Sequence, residues 1–177
     1  MLLKPMIIKY ITTGIIAPHG ITDLIHAEQN KNIVSLLNIY VSTNSLFFFL
    51  ETVHLSEIIN VILFTSSIVH FQRDVPIENK NVRYFFTASM LLYFIFINSS
   101  NIFIYLSLIH VPNHYKNSWY FLKNNKIKTF LILILTTTVS LVFGMNYYEL
   151  YENPMIFDII KGIIISHILY EELYIYN

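Results

Sequence analysis

Long apolar runs separated by short polar breaks organise the chain. A helix needs ~20 mostly apolar residues to cross the hydrocarbon core of a bilayer. Runs of that kind are predicted at about 5-27, 33-52, 55-72, 82-98, 101-118, 127-147 and 154-175. Backbone groups in lipid must satisfy one another within the segment, so such runs fold as helices. The expected class is all-α: a polytopic membrane helical bundle of about seven transmembrane helices, forming a single domain over residues 1-177. Six is the alternative, if the break Asn98-Ser99-Ser100-Asn101 is buried inside one long helix.

The basic residues decide between the two. The breaks after the first, third and fifth runs hold Lys31; Arg73, Lys80 and Arg83; and Lys116, Lys123, Lys126 and Lys128. The breaks after the second, fourth and sixth hold no Lys or Arg, but carry Glu51, Glu57, Glu149 and Glu152. Lysine and arginine collect on the cytoplasmic side of membrane proteins, so seven passes put the N-terminus outside and the C-terminus in the cytoplasm. Six passes would strand the Lys116–Lys128 group outside. Lys4, Lys9 and Lys161 are the exceptions, near outer ends where a long stem can snorkel. Lys4 and Lys9 also precede an apolar stretch as in a signal peptide, but no small-residue cleavage site follows it, so this stretch reads as a first membrane helix.

Composition agrees. The chain is 55% hydrophobic and 12% charged, with mean hydropathy +0.55, where a soluble domain carries about a quarter charged residues. Zero net charge gives no footprint for nucleic acid. The absence of cysteine excludes disulfides and thiolate metal sites, leaving imidazole and carboxylate as the available ligands.

Of seven histidines, only His54 falls on the outer side. His19, His26, His70, His110, His114 and His167 all fall in the inner half or at the inner ends of their helices. Ionisable groups at membrane depth are expensive and are kept for function. Residues four apart share a helix face. His19, Asp23 and His26 thus form one polar stripe, and Ser66, His70 and Asp74 a second. His110 with His114 makes a third, and His167 with Glu171 a fourth. Taken singly, His26, His54 and His167 read as hydrogen-bonded packing residues. Histidines from separate helices at one depth read as a metal site, with a carboxylate one turn away holding each second ring nitrogen. Pro18 and Pro112 adjoin these stripes and are expected to bend their helices.

Three motifs carry a resemblance. Pro18-His19-Gly20-Ile21-Thr22-Asp23, His70-Phe71 followed by Asp74, and His110-Val111-Pro112-Asn113-His114 resemble segments of the Brp/Blh family of membrane β-carotene 15,15′-dioxygenases. The resemblance implies non-haem Fe(II) held by His19, His70, His110 and His114, with Asp23 and Asp74 behind the ligands. It implies a carotenoid substrate and O₂ as reactants, two retinal molecules as products, and a functional link to a retinal-binding opsin. Two rival readings accompany it: a bis-histidine haem cytochrome of the membrane, and a non-catalytic assembly factor for an opsin.

Overall fold

The computed structural model describes residues 7, 10–98, 100–123, 126–147 and 154–176. Lys4, Lys9, Glu149 and Glu152 lie outside them. The described residues are helical with no strand, and they form seven helical stretches in chain order.

The first, α1, comprises a π-helical turn Thr12–Ile16, a short segment Ala17–His19 and the helix Ile21–Gln29. Then come α2, Ile33–Thr52, and α3, Ser56–Phe71, which ends in a 3₁₀ turn Gln72–Asp74. Helix α4 is Lys80–Phe96. The fifth stretch, α5, comprises Ser100–Tyr105, a π-helical turn Leu106–His110 and Val111–Leu122. Helices α6, Lys126–Tyr147, and α7, Pro154–Tyr174, complete the chain. Helix α4 stops before the polar break, where the N–H groups of Ile97 and Asn98 both turn back to the Tyr93 carbonyl, and α5 starts afresh at Ser100.

Both π-helical turns lie just upstream of a proline. Pro18 and Pro112 have no N–H to return to the preceding turn, and a widened turn accommodates the lost bond. The histidines of these motifs follow at once: His19 next to Pro18, and His110 as the last residue of the second turn.

Two helix ends close on left-handed residues that are not glycine, Lys31 and His54, both at φ 59°. In each case the paired bonds of a Schellman motif form: Asn32 N–H to Ala27 O with Lys31 N–H to Glu28 O, and Leu55 N–H to Leu50 O with His54 N–H to Glu51 O. His54 therefore shapes the α2–α3 turn.

Helix α7 runs along α2 and α3 and also touches α1; α1 in turn packs on α2, α5 and α6, and α4 bridges α3 and α5. Gly162 lets α7 approach α2: a Cβ there would stand 2.5 Å from Asn44 Oδ1. Small apolar clusters tie the bundle together. Phe71, Leu91, Phe94 and Tyr105 join α3, α4 and α5. Ala27, Leu36 and Tyr170 join α1, α2 and α7. Phe47, Ile59 and Ile165 join α2, α3 and α7.

Among the described residues one helix, α2, is by itself long and apolar enough to cross a membrane, with 20 residues and a mean hydropathy of 1.6 over its best window. Helices α3 and α4 have 16 and 17 residues, short of the ~20 that span the hydrocarbon, and α1 and α5 are interrupted by their π-helical turns. Outside these clusters many bulky apolar side chains face outward while ionisable groups lie inside. Isoleucine, leucine, valine and phenylalanine side chains crowd the surface, with Val34 70%, Phe85 76%, Phe96 77%, Leu108 71% and Ile127 76% exposed. Asp23, His70, His110, His114, His167 and Glu171 are buried.

A candidate metal centre of histidines and carboxylates

Four helical stretches deliver the site. From α1 come His19 and Asp23; from the end of α3, His70 and, past it, Asp74; from α5, His110 and His114; from α7, His167 and Glu171. Five imidazoles from these stretches pack against one another, mostly edge to face, with His114 and His167 tilted at 32°. Neighbouring ring centroids stand 4.9 Å apart for His19–His167 and His70–His110, 5.1 Å for His19–His114, 5.3 Å for His114–His167 and 5.9 Å for His110–His114. The predicted four are thus brought together, and His167 stands among them.

The ring nitrogens divide their work. His110 Nδ1 donates to Asp74 Oδ2 at 2.9 Å, and His167 Nδ1 donates to Asp23 Oδ2 at 2.8 Å. His19 Nδ1 donates to the Ile16 carbonyl at the end of the first π-helical turn. Each of these bonds fixes a tautomer and turns Nε2 toward the cluster, the arrangement in which a metal-ligating histidine is held from behind. His114 Nε2 meets Glu171 Oε1, with a longer contact of 3.5 Å from its Nδ1 to Thr22 Oγ1. His70 Nδ1 lies 3.6 Å from Glu171 Oε2 and 3.7 Å from Glu172 Oε1.

Asp74 is a shared anchor. Its carboxylate also accepts from Tyr105 Oη at 2.7 Å and Asn113 Nδ2 at 3.3 Å. Burial pushes this carboxyl up, but the bonds from His110, Tyr105 and Asn113 outweigh it and the net displacement is downward. Asp23 likewise accepts from Tyr40 Oη at 3.1 Å. Arg73 pairs with Glu172 through Nε and Nη2 and covers the Tyr176 ring at 3.9 Å, which ties the ends of α3 and α7 together beside His70.

The stripe expectation needs correcting in its partners. Asp23 does not hold His19 or His26, and Asp74 does not hold His70. Each carboxylate instead holds an imidazole from another helix: Asp23 takes His167, Asp74 takes His110 and Glu171 takes His114. Spacing fixes the face a side chain occupies, while the partner is whatever helix that face meets. His26 stands apart from the five rings, with Nδ1 3.0 Å from Tyr170 Oη. Ser66 donates to the Leu63 carbonyl and takes no part.

Buried donor atoms at the centre fit a metal ion. His19 Nε2, both ring nitrogens of His70, His167 Nε2 and Glu171 Oε2 are buried without a hydrogen-bond partner. Each orphaned buried polar group costs ~1–3 kcal/mol, and all of these belong to residues of the histidine–carboxylate cluster. All are ligating atom types, and imidazole with carboxylate suits divalent transition ions. The ligand atoms of His19, His114 and His167 lie within 4.8 Å of one another, as do those of His70, His110 and His167, and those of Asp23, His114, His167 and Glu171. A divalent cation also supplies the positive charge that three carboxylates in a water-poor interior require.

Comparison of the chain with protein-family models, with curated proteins and with solved structures finds no match.

Proposed function

We propose that the protein is a membrane-embedded non-haem iron dioxygenase that cleaves a carotenoid at its central double bond to give retinal. The observation that carries this reading is the convergence of His19, His70, His110, His114 and His167 with orphaned, ligand-type atoms facing one another. The three resembling motifs supply the substrate and product.

The membrane part of the reading is supported by the exposed apolar surface. Soluble monomers rarely show contiguous apolar patches beyond a few hundred Å², and here bulky aliphatic and aromatic side chains face outward along α2, α4 and α6. Seven passes, with the N-terminus outside and the C-terminus in the cytoplasm, follow from the basic loops. That topology sets the histidine cluster near the cytoplasmic side of the bilayer.

Ferrous iron, held by these histidines, would supply the activation of O₂, whose two atoms would end in the two aldehydes formed from the broken C15=C15′ bond. The protein's own contribution is placement. Asp74, Asp23 and the Ile16 carbonyl keep His110, His167 and His19 in tautomers whose Nε2 lone pairs face inward. Phe71, whose ring centroid lies 4.7 Å from that of His110, helps exclude water from one side. A largely apolar groove of about 630 Å³ between α5 and α6, lined by Tyr115, Ile127, Phe130, Leu131 and Leu133 with Lys126 and Thr129, suits a long hydrocarbon arriving from lipid. No side chain has to act as a general acid or base.

Neighbouring rings of the cluster have centroids only 4.9–5.9 Å apart, too close to hold a porphyrin between them, which argues against the haem reading. The full set of donors argues against a partner that has lost its metal. Expression in carotene-producing bacteria, followed by pigment extraction, tests the proposal. Loss of colour with retinal formation is expected, and unchanged carotene in iron-replete membranes that contain the protein refutes it.

A further inference from the structure

The donor atoms do not gather around one point. Among the described residues they fall into two triads, His19–His114–His167 and His70–His110–His167, and a third group, Asp23–His114–His167–Glu171, that overlaps the first; the ligand atoms of each lie within 4.8 Å of one another, and no group unites His19 with His70. Two ligands of one ion, each ~2.0–2.2 Å from it, stand no more than roughly 4.4 Å apart. His167 belongs to both triads but has one nitrogen to give, because Asp23 takes the other. Glu171 spans the gap. Its Oε1 meets His114 Nε2, and its Oε2 faces His70 Nδ1 at 3.6 Å and His167 Nε2 at 3.9 Å. This carboxylate is fully buried, and Oε2 has no hydrogen-bond partner.

We propose that the site is dinuclear, with Glu171 as the bridging carboxylate, a refinement that rests on the iron-centre reading above. One ion sits on His19 and His114, the other on His70 and His110, and His167 completes one of the two.

Counting donors favours this arrangement. Five imidazoles and Glu171 on one ion close a six-coordinate shell and leave no position for oxygen. Divided over two ions, they give each at least two imidazoles and one carboxylate oxygen, the donor set of oxygen-activating ferrous sites with open positions. Two-metal centres hold their ions roughly 3.5–4 Å apart, a span that one carboxylate bridges. The division also accounts for the orphaned atoms on both sides of Glu171. Asp23 and Asp74 then lie one on each side, behind His167 and His110.

The test is metal stoichiometry with a magnetic readout. The full chain is purified anaerobically in detergent, loaded with excess ferrous iron and desalted. Two irons per chain are expected, and oxidation should give a coupled diferric pair silent in EPR. Glu171→Gln is expected to halve the iron content or lower it further, and to leave the remaining ferric ion visible as an isolated high-spin signal. Zinc loading of the wild-type protein counts the same sites without redox chemistry, so the result stands even if the variant fails to accumulate. One ion per chain, with all ferric iron in an isolated high-spin signal, overturns the pair. If that preparation forms retinal, the proposed reaction survives and only the dinuclear inference falls. Two irons per chain without retinal keep the pair and overturn the reaction. No bound metal at all overturns both.

Discussion

Replacing Asp74 by asparagine isolates the support behind a ligand from the ligand itself. The carboxylate accepts from His110 Nδ1 at 2.9 Å, Tyr105 Oη at 2.7 Å and Asn113 Nδ2 at 3.3 Å. An amide of the same shape keeps one oxygen and presents an N–H₂ group to partners that are themselves donors. A hydrogen bond to a charged group is worth ~1.5–3 kcal/mol. Loss of a carboxylate behind a metal-ligating histidine typically weakens metal binding ~10–100-fold, which is ~1.4–2.7 kcal/mol. The two routes agree, so Asp74→Asn is predicted to weaken binding by about that factor while the bundle still folds. Competition against a chelator of known affinity measures it on the detergent-solubilised protein, with thermal melts in excess chelator as a control for folding. Combining Asp74→Asn with His110→Ala should cost little beyond His110→Ala alone, since the two residues act through one contact. Wild-type affinity in Asp74→Asn, or full additivity in the double variant, refutes the argument that Asp74 acts through His110.

Other expectations follow from single contacts. Gly162→Ala places a Cβ 2.5 Å from Asn44 Oδ1 and turns the amide away from Tyr40 O and Ser166 Oγ; a loss of ~1–3 kcal/mol is expected from overpacking, read by thermal melting, and Asn44→Ala should recover part of it. His54→Ala alters only the α2–α3 turn, so metal content should stay at the wild-type level, and a drop would show that this histidine reaches the site. Alkaline carbonate washing of membranes should leave the chain in the pellet, whereas release into the supernatant contradicts the multi-pass reading.

Helix positions were legible because breaks in hydrophobicity carry them. The expected 33-52 and 154-175 coincide closely with Ile33–Thr52 and Pro154–Tyr174. The polar break at 98-101 separates α4 from α5, as in the seven-helix partition of the chain. Hydropathy could not show the two π-helical turns, since it says nothing about how a helix absorbs a missing N–H. His19, His70, His110 and His114 were legible as a group from depth and motif. Taken singly, His167 reads in the sequence as a packing histidine, and Glu171 only as its neighbour on the stripe. The signal was present in His167-x-x-x-Glu171 at the same depth as the others, but a lone histidine does not reveal which helix it faces. The interhelical pairs Asp23–His167, Asp74–His110 and Glu171–His114 were beyond reach for the same reason. They depend on how α7 and α5 are rotated against α1 and α3, and local spacing does not encode that.

X-ray absorption at the iron edge of the loaded, detergent-purified protein tests the central claim most directly, because imidazole ligands leave a distinctive outer-shell scattering pattern. The account predicts an imidazole-rich coordination sphere with a carboxylate contribution, and loss of imidazole scattering in variants of His70, His110 or His167. A sphere of oxygen atoms alone, or one unchanged when those histidines are replaced, contradicts it.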